Sequence, residues 1–447
     1  MNKAIFADFR GPNGNATGNL CQFLHRGAPA LPCRLPAAAL RNADLALQGN
    51  LRQLDRRVVI AALGIAQILA WGTSFYFPAV FAGPIVADTG WPLGLVVGGT
   101  SIGLLVAGLI SPQVGRVIDR QGGRPILFAS SLFYAIGLAG IGLAPTLPIY
   151  LAAWLVLGLG MGTGLYDAVF AALGRLYGKA ARAPITNLTL FGGFASTVCW
   201  PLSAFMIEHL GWRTACFVYA ALHLMIALPL QMAVIRRTPK SDVLTVQADG
   251  AQAAPEPPVA NEKLIFALLA LVLSLAAGIG SIVVVHLLIF LQARGVDYAV
   301  AVSLGTLFGP AQVGARVVER LFGSRYHPIW TMIASCGLMA IGLLLLLGGF
   351  PILALVILIY GAGYGISWIG RGTLPLALFG PIRFPRLMGK LAFPSLIVQA
   401  LAPSGGALLI EASGADATIG ALAALALLNV FLIALLWSLC RPHYARI

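Results

Sequence analysis

Acidic residues are scarce in this chain: 15 Asp and Glu against 29 Lys and Arg in 447 residues, and charge of both signs makes up only 10% of it. So little charge cannot cover the surface of a water-soluble domain of this size. Metal-ligand spacing is missing among the six cysteines, with Cys21 and Cys33 near the N-terminus and Cys199, Cys216 and Cys336 far apart. Reduced, structural thiols are therefore expected, and no metal site. No glycine-rich loop of the G-x-x-x-x-G-K-[ST] kind occurs, which argues against ATP hydrolysis. Ser, His and Asp are scattered without a triad-forming context, so no catalytic residue or cofactor is nominated. No apolar signal core precedes residue 58, which argues against a cleavable secretory peptide.

What the chain has in excess is apolar length. It is 59% hydrophobic, carries 52 glycines and has a mean hydropathy of +0.89, values that place it in a bilayer. A spanning helix needs about 20 mostly apolar residues. Twelve such segments can be read, at 58–82, 94–113, 126–144, 148–172, 185–207, 214–234, 264–291, 299–315, 328–349, 351–370, 390–410 and 417–438. The predicted fold class is an all-α integral membrane protein. Very short connections at "GLAPTLP" and "GGFPI" make antiparallel hairpins of the helices they join.

A net charge of +14 in a soluble protein would suggest nucleic acid, but its distribution points to lipid instead. With the N-terminus in the cytoplasm, twelve spans put 27 of the 29 Lys and Arg on the cytoplasmic side, leaving Arg213 and Arg294 outside. The external turns hold Asp88, Glu208, Asp297, Glu411 and Asp416. Residues 1–55 read as a disordered cytoplasmic tail. Residues 236–263, "RRTPKSDVLTVQADGAQAAPEPPVANEK", read as a cytoplasmic linker between an N-terminal six-helix half (56–235) and a C-terminal one (264–440). A cytoplasmic C-terminus (441–447) follows, and the expected location is the inner (plasma) membrane.

The two halves share a device. "PQVGRVIDR" (112–120) recurs as "AQVGARVVER" (311–320), with Glu319 answering Asp119. Together with "QGGR" the first copy resembles the loop 2–3 signature of the major facilitator superfamily, G-x-x-x-D-R-x-G-R-R, at Gly115, Asp119, Arg120, Gly122 and Arg124, with Gly123 where a basic residue is usual. The resemblance covers roughly residues 57–440. It implies twelve transmembrane helices in two pseudo-symmetric halves and a secondary transporter working by alternating access around a midplane site. It also implies a gating role for this cluster, so Gly115, Asp119, Arg120, Gly122, Arg124, Glu319 and Arg320 are the expected gate. A carboxylate at the membrane boundary can pair with arginines or with a helix N-terminus as the halves rock.

Helix-packing glycines are the better reading of "LGLGMGTGLYDAVF" (157–170) than a nucleotide loop. The segment resembles the family's fourth-helix pattern R-x-x-x-G-x-G-x-G, with Trp154 in place of the arginine. The fifth segment keeps Pro201 but not the flanking glycines of the antiporter signature. Asp167 is the acid placed inside a span, where a charge costs about 2.5–3.5 kcal/mol on insertion scales. It is read either as a group that protonates during transport or as a partner of Arg175 or Arg116. "QVGAR" (312–316) resembles the D-x-x-x-R pattern of monocarboxylate porters, in which the arginine meets a substrate carboxylate; Gln312 stands in the acid's place. Arg316 is thus a substrate candidate, with a loop anchor as the alternative.

His286, Arg371, Trp200 and the stripe Tyr360, Tyr364, Trp368 complete the pathway candidates, along with Trp71, Ser74, Tyr76 and Ser367. The favoured reading is a monomer moving a small organic anion such as a monocarboxylate with a coupling proton. Alternatives are efflux of a hydrophobic compound or metalloid, a membrane enzyme using Asp167 and His286, and a non-transporting sensor.

Overall fold

The computed structural model describes residues 56–236 and 261–444, and these are helical with no strand among them. The tail expected over 1–55, most of the 236–263 linker and the last three residues lie outside the described residues. Helix α1 runs over 56–72 and gives way to a turn at 73–77. Pro78 has no amide hydrogen to continue the ladder and opens α2, Pro78–Thr89. Then come α3 (Leu93–Gln121), α4 (Arg124–Leu143), α5 (Leu147–Gly164), α6 (Tyr166–Tyr177), α7 (Arg182–Gly193), α8 (Ala195–Leu222) and α9 (Leu228–Arg236). A π-helical turn, His223–Ala227, joins α8 to α9. The C-terminal half has α10 (Glu262–Gln292), α11 (Tyr298–Gly305), α12 (Phe308–Phe322), α13 (Pro328–Leu347) and α14 (Leu353–Tyr444).

Six helical runs among the described residues are long and apolar enough to cross a membrane, and two of them, Leu147–Val234 and Leu353–Cys440, are 88 residues long. Straight, each would reach about 130 Å, some four times the hydrocarbon thickness. They are not straight. The first is interrupted at Leu165, whose backbone is extended (ψ −178°), and again at Gly211 (φ 79°). The second is interrupted at Gly380 (φ 71°) and Gly414 (φ 83°), a conformation that glycine adopts without a Cβ clash.

Two boundaries differ from expectation in ways that matter. The stretch read as a loop around Asp119 is helical to Gln121, so Asp119 and Arg120 sit on the last turns of α3, and only Gly122 (φ 86°) and Gly123 lie between α3 and α4. The tenth segment, expected to stop at 370, continues to the break at Gly380. A charged residue looked like a terminus there, but Arg371 is buried and paired, so the helix runs on through it.

The glycine run of α5 packs. A Cβ on Gly158 would lie 2.7 Å from the Gly103 carbonyl oxygen, and one on Gly162 would lie 3.0 Å from Ala107 Cα. Trp154 is fully buried, edge-on to Phe77 at 5.8 Å. The position that carries arginine in the family pattern is therefore filled by core packing.

Candidate functional site

Helix α12 has a polar seam on its buried face, where Gln312 and Arg316 lie one turn apart. Arg316 is 3% exposed. Its Nε donates to the Gly365 carbonyl (2.9 Å), Nη1 to the Thr189 carbonyl (2.8 Å) and Nη2 to Gln312 Oε1 (3.4 Å). The Thr189 bond crosses from the C-terminal half to α7 of the N-terminal half. Among the described residues these partners are all neutral. Close approach explains the local glycines: a Cβ on Gly193 would sit 2.6 Å from Arg316 Nη1, and one on Gly365 would sit 2.6 Å from Gln312 Cα.

Aromatic rings from both halves pack on one another here. Trp71 lies 4.9 Å from Tyr166 and 5.2 Å from Trp368, and Tyr364 lies 6.2 Å from Trp368. Arg316 is within electrostatic reach of the hydroxyls of Tyr76, Tyr166 and Tyr364. The helix breaks are what aim these rings: Tyr76 sits in the 73–77 turn, and Tyr166 follows the break at Leu165. Gln67 ties the two together, donating to the Gly164 carbonyl at 2.5 Å and accepting from Trp71 Nε1 at 3.2 Å. Broken helices of this kind in a bilayer occur where they line a cavity or are buried in protein.

Asp167 occupies the first turn of α6, where the helix dipole favours a carboxylate. Its partner is neither Arg175 nor Arg116. Arg371 of α14 grips it with two bonds, Nε to Oδ1 at 2.7 Å and Nη2 to Oδ2 at 2.8 Å, and Nη2 also reaches Ser395 Oγ at 2.8 Å. Sequence spacing favoured partners within the same half, whereas tertiary packing brings a helix of the other half closer. The side chains are 5% and 14% exposed for Arg371 and Asp167. A cavity of about 20 Å³ borders Arg371 with Tyr364, Ser367 and Trp368. Another of about 10 Å³ borders Asp167 with Ser111, Gly115 and Gly389.

Beyond Asp167 the halves close on each other. Gly115 faces Gly389 so tightly that a Cβ on Gly115 would lie 2.6 Å from the Pro385 carbonyl, and Ser111 Oγ donates to the Gly389 carbonyl at 2.9 Å. Asp119 pairs with Arg386 across the halves at 2.5 Å, while Arg116, Arg120 and Arg124 are exposed. In the second copy Glu319 accepts from Thr331 at 2.7 Å, Arg320 binds Asn187, and Arg182 donates to the carbonyls of Gly323 and Tyr326. Burial holds Arg182 below the usual arginine range against the opposing pull of Glu319. Burial, then the Arg182 charge, lowers His327.

The structure thus gathers Asp167, Arg316, Tyr364, Trp368 and Arg371 into one region. Trp200 reaches it only through Tyr76, at 6.1 Å. His286 hydrogen-bonds the Pro403 carbonyl at 2.9 Å and meets Phe290 edge-on at 6.3 Å, partners outside the Arg316 group. Sequence reasoning missed Gln67, Tyr166, Gly193, Arg182 and Arg386. The basic run "PIRFPR" (381–386) ahead of the eleventh segment was the available signal for Arg386.

The sequence profile of the Major Facilitator Superfamily matches residues 62–326. A gentisate transporter of Corynebacterium glutamicum is 26% identical over 266 residues, which are 56% of this chain and 58% of that protein. The chain thus aligns with little more than half the length of this curated relative. The crystal structure of the human organic anion transporter MFSD10 (TETRAN) aligns with a TM-score of 0.65 at 16% identity, over 85% of this chain and 99% of that one. The proton:xylose symporter XylE aligns with a TM-score of 0.63 at 13% identity, over 84% and 94%. At these identities the structural likeness speaks for the fold.

Proposed function

The chain belongs to the major facilitator superfamily, and from that premise we propose that it is a proton-coupled secondary transporter of small aromatic carboxylates. The observation that carries the reading is Arg316. A guanidinium presents five N–H donors, and here, on a residue 3% exposed, three bonds go to neutral oxygens, with the phenols of Tyr76, Tyr166 and Tyr364 within electrostatic reach. Such a cation in low dielectric gains from a carboxylate that takes two of its donors, and flat rings such as Trp71 and Trp368 suit an aromatic body. The name of the corynebacterial relative points the same way for the part of the chain it matches.

In this reading the helical runs fold as twelve spans in two six-helix halves, working as a monomer in the inner membrane. The end bearing Asp119 and Arg386 faces the cytoplasm by the positive-inside rule, although two arginines counted there, Arg316 and Arg371, lie inside helices. The contacts from Arg371–Asp167 down to Asp119–Arg386 then describe a state closed to the cytoplasm. Gly115, Gly122, Asp119, Arg120, Arg124, Glu319 and Arg320 serve the gate. Asp167 takes the coupling proton, which balances the charge of the anion, and Arg371 is released when it does so.

Counterflow of radiolabelled gentisate in proteoliposomes tests the proposal. Exchange that is competed by other aromatic carboxylates and lost in Arg316→Gln is the expected result. Exchange of lipophilic compounds alone, indifferent to that substitution, would overturn it.

A further inference from the structure

His223 lies outside the site and has no part in the mechanism above, yet it is 1% exposed and opens the π-helical turn between α8 and α9. A buried imidazole needs partners, and it has two. Its Nε2 is 2.9 Å from Thr73 Oγ1. Its ring lies flat on Tyr134 of α4, with centroids 4.6 Å apart and planes 11° from parallel.

The direction of the Thr73 bond follows from proton counting. The threonine hydroxyl has one hydrogen, which it donates to the Leu69 carbonyl at 2.8 Å. With that hydrogen so placed the hydroxyl accepts from His223, and we assign the imidazole hydrogen to Nε2. Thr73 is the first residue of the turn 73–77, where α1 stops and the chain presents Phe75 and Tyr76. The donor from His223 is thus spent on the point at which the helix comes undone.

Tyr134 reaches the second discontinuity. Its hydroxyl lies beside Ser74, the next residue of the same turn. Its ring lies against Gly160 and Gly164, so closely that a Cβ on Gly164 would be 2.9 Å from Tyr134 Cε2. Gly164 ends α5, and the break that follows presents Tyr166 and Asp167. One stacked pair therefore backs two helix breaks of the N-terminal half, the turn at 73–77 and the break at Leu165.

We propose that His223, through its N–H to Thr73 and its stack on Tyr134, is a positioning residue for the transport site, fixing the turn that presents Tyr76 and bracing the break that presents Tyr166. The proposal rests on the reading that these tyrosines face substrate. A π-turn suits the task, because its extra residue shifts a side chain out of the regular helical register, and such bulges recur at functional sites.

Two substitutions separate the two contacts. His223→Phe keeps a ring for the stack and removes the donor; His223→Gln restores an amide donor and removes the ring. Hydrogen–deuterium exchange read by mass spectrometry is the measurement that does not depend on knowing the substrate. In His223→Phe, amides of residues 73–77 are expected to exchange about tenfold faster, the scale of one lost buried hydrogen bond. The rest of α1 and α3 should exchange as in the wild type. The KM for gentisate counterflow should rise by a similar factor while the maximal rate holds within twofold. His223→Gln should recover most of the slow exchange at 73–77, which follows the donor, but not all of the KM, which also depends on the ring.

Thr73→Val removes the same bond from the other side and stands in if His223→Phe fails to fold. Unchanged exchange at 73–77 with unchanged KM would overturn the proposal. So would a uniform rise in exchange across residues 57–236, which is how a plain core histidine behaves. Counterflow that survives Arg316→Gln would instead sink the functional reading, and the exchange data would still judge the brace.

Discussion

Arg316 and Arg371 are both buried, both belong to the C-terminal half and both reach into the N-terminal half, yet they end on different chemistry. Arg371 closes on the carboxylate of Asp167 with two bonds and on Ser395 with a third interaction. Arg316 closes on two backbone carbonyls and the amide oxygen of Gln312. Each carbonyl satisfies a donor without neutralising the charge. In the proposed reading, the first arginine is a finished structural contact that a proton undoes, and the second is an unfinished one that a substrate carboxylate completes. Burial is common to the two, so what separates them is the counter-charge, present for Arg371 and absent among the hydrogen-bond partners of Arg316 in the described residues.

The sharpest way to break the comparison is to remove the one counter-charge. Asp167→Asn leaves Arg371 as an uncompensated buried cation, and stability is expected to fall by about 3–5 kcal/mol. The double variant Asp167→Asn/Arg371→Gln should recover most of that loss, because neither charge remains. Thermal denaturation of the four proteins in one detergent checks this as a double-mutant cycle. If the two single losses simply add, the pair is not coupled.

Arg316→Gln should behave differently. Binding of gentisate, followed by scintillation proximity on purified protein, is expected to weaken about a hundredfold, the scale of a bidentate charge-assisted pair. The thermal midpoint should fall less than in Asp167→Asn, since the acceptors that lose a donor, the Gly365 and Thr189 carbonyls and Gln312 Oε1, are neutral. A loss of stability like that of Asp167→Asn would erase the distinction between the two arginines.

Gly193→Ala probes the setting of Arg316 without touching its charge. The added methyl would lie 2.6 Å from Nη1, so the guanidinium must shift, and gentisate affinity is expected to drop about tenfold. The same binding assay reads the effect, and wild-type affinity would mean that the position of the guanidinium is unimportant.

The smallest effects belong to the gate. Arg386 is 53% exposed, and an ion pair at such a surface contributes at most about 1 kcal/mol. Asp119→Asn should slow counterflow by a few-fold and raise thiol-reagent labelling of a cysteine placed at Val114, which borders the cavity behind the gate. Glu319→Gln should do less, because the Thr331 that donates to it lies in its own half. Equal effects from the two would show that the copies are equivalent after all.

Much of this was readable from the chain. Long apolar segments, the doubled motif around Asp119 and Glu319, and the family resemblance gave the helical fold, and helical spacing put Tyr364 and Trp368 on one face. Charge in an apolar stretch singled out Asp167, because a bilayer tolerates such residues only for a reason; Arg316 stood out by its likeness to the porter pattern, and Arg371 as a charge at a segment end. What spacing could not supply was pairing. Asp167 and Arg371 are 204 positions apart, and nothing local distinguishes Arg371 from the nearer Arg175. Gln67, Thr189 and Gly193 were invisible for the same reason, since an amide, a backbone carbonyl and a missing side chain carry no charge or period to notice.

By itself the sequence determined that the chain is helical and apolar enough for a bilayer, because hydropathy and the lack of surface charge act along the chain and need no partner. It also marked which few charges had to be accounted for. Only the tertiary structure decided which of those charges are neutralised and which is left open. That depends on where α6, α12 and α14 meet, and on the breaks at 73–77 and Leu165 that turn Tyr76 and Tyr166 toward the guanidinium. Counter-charges act over a few ångströms in space, and a linear order records distance along the chain instead.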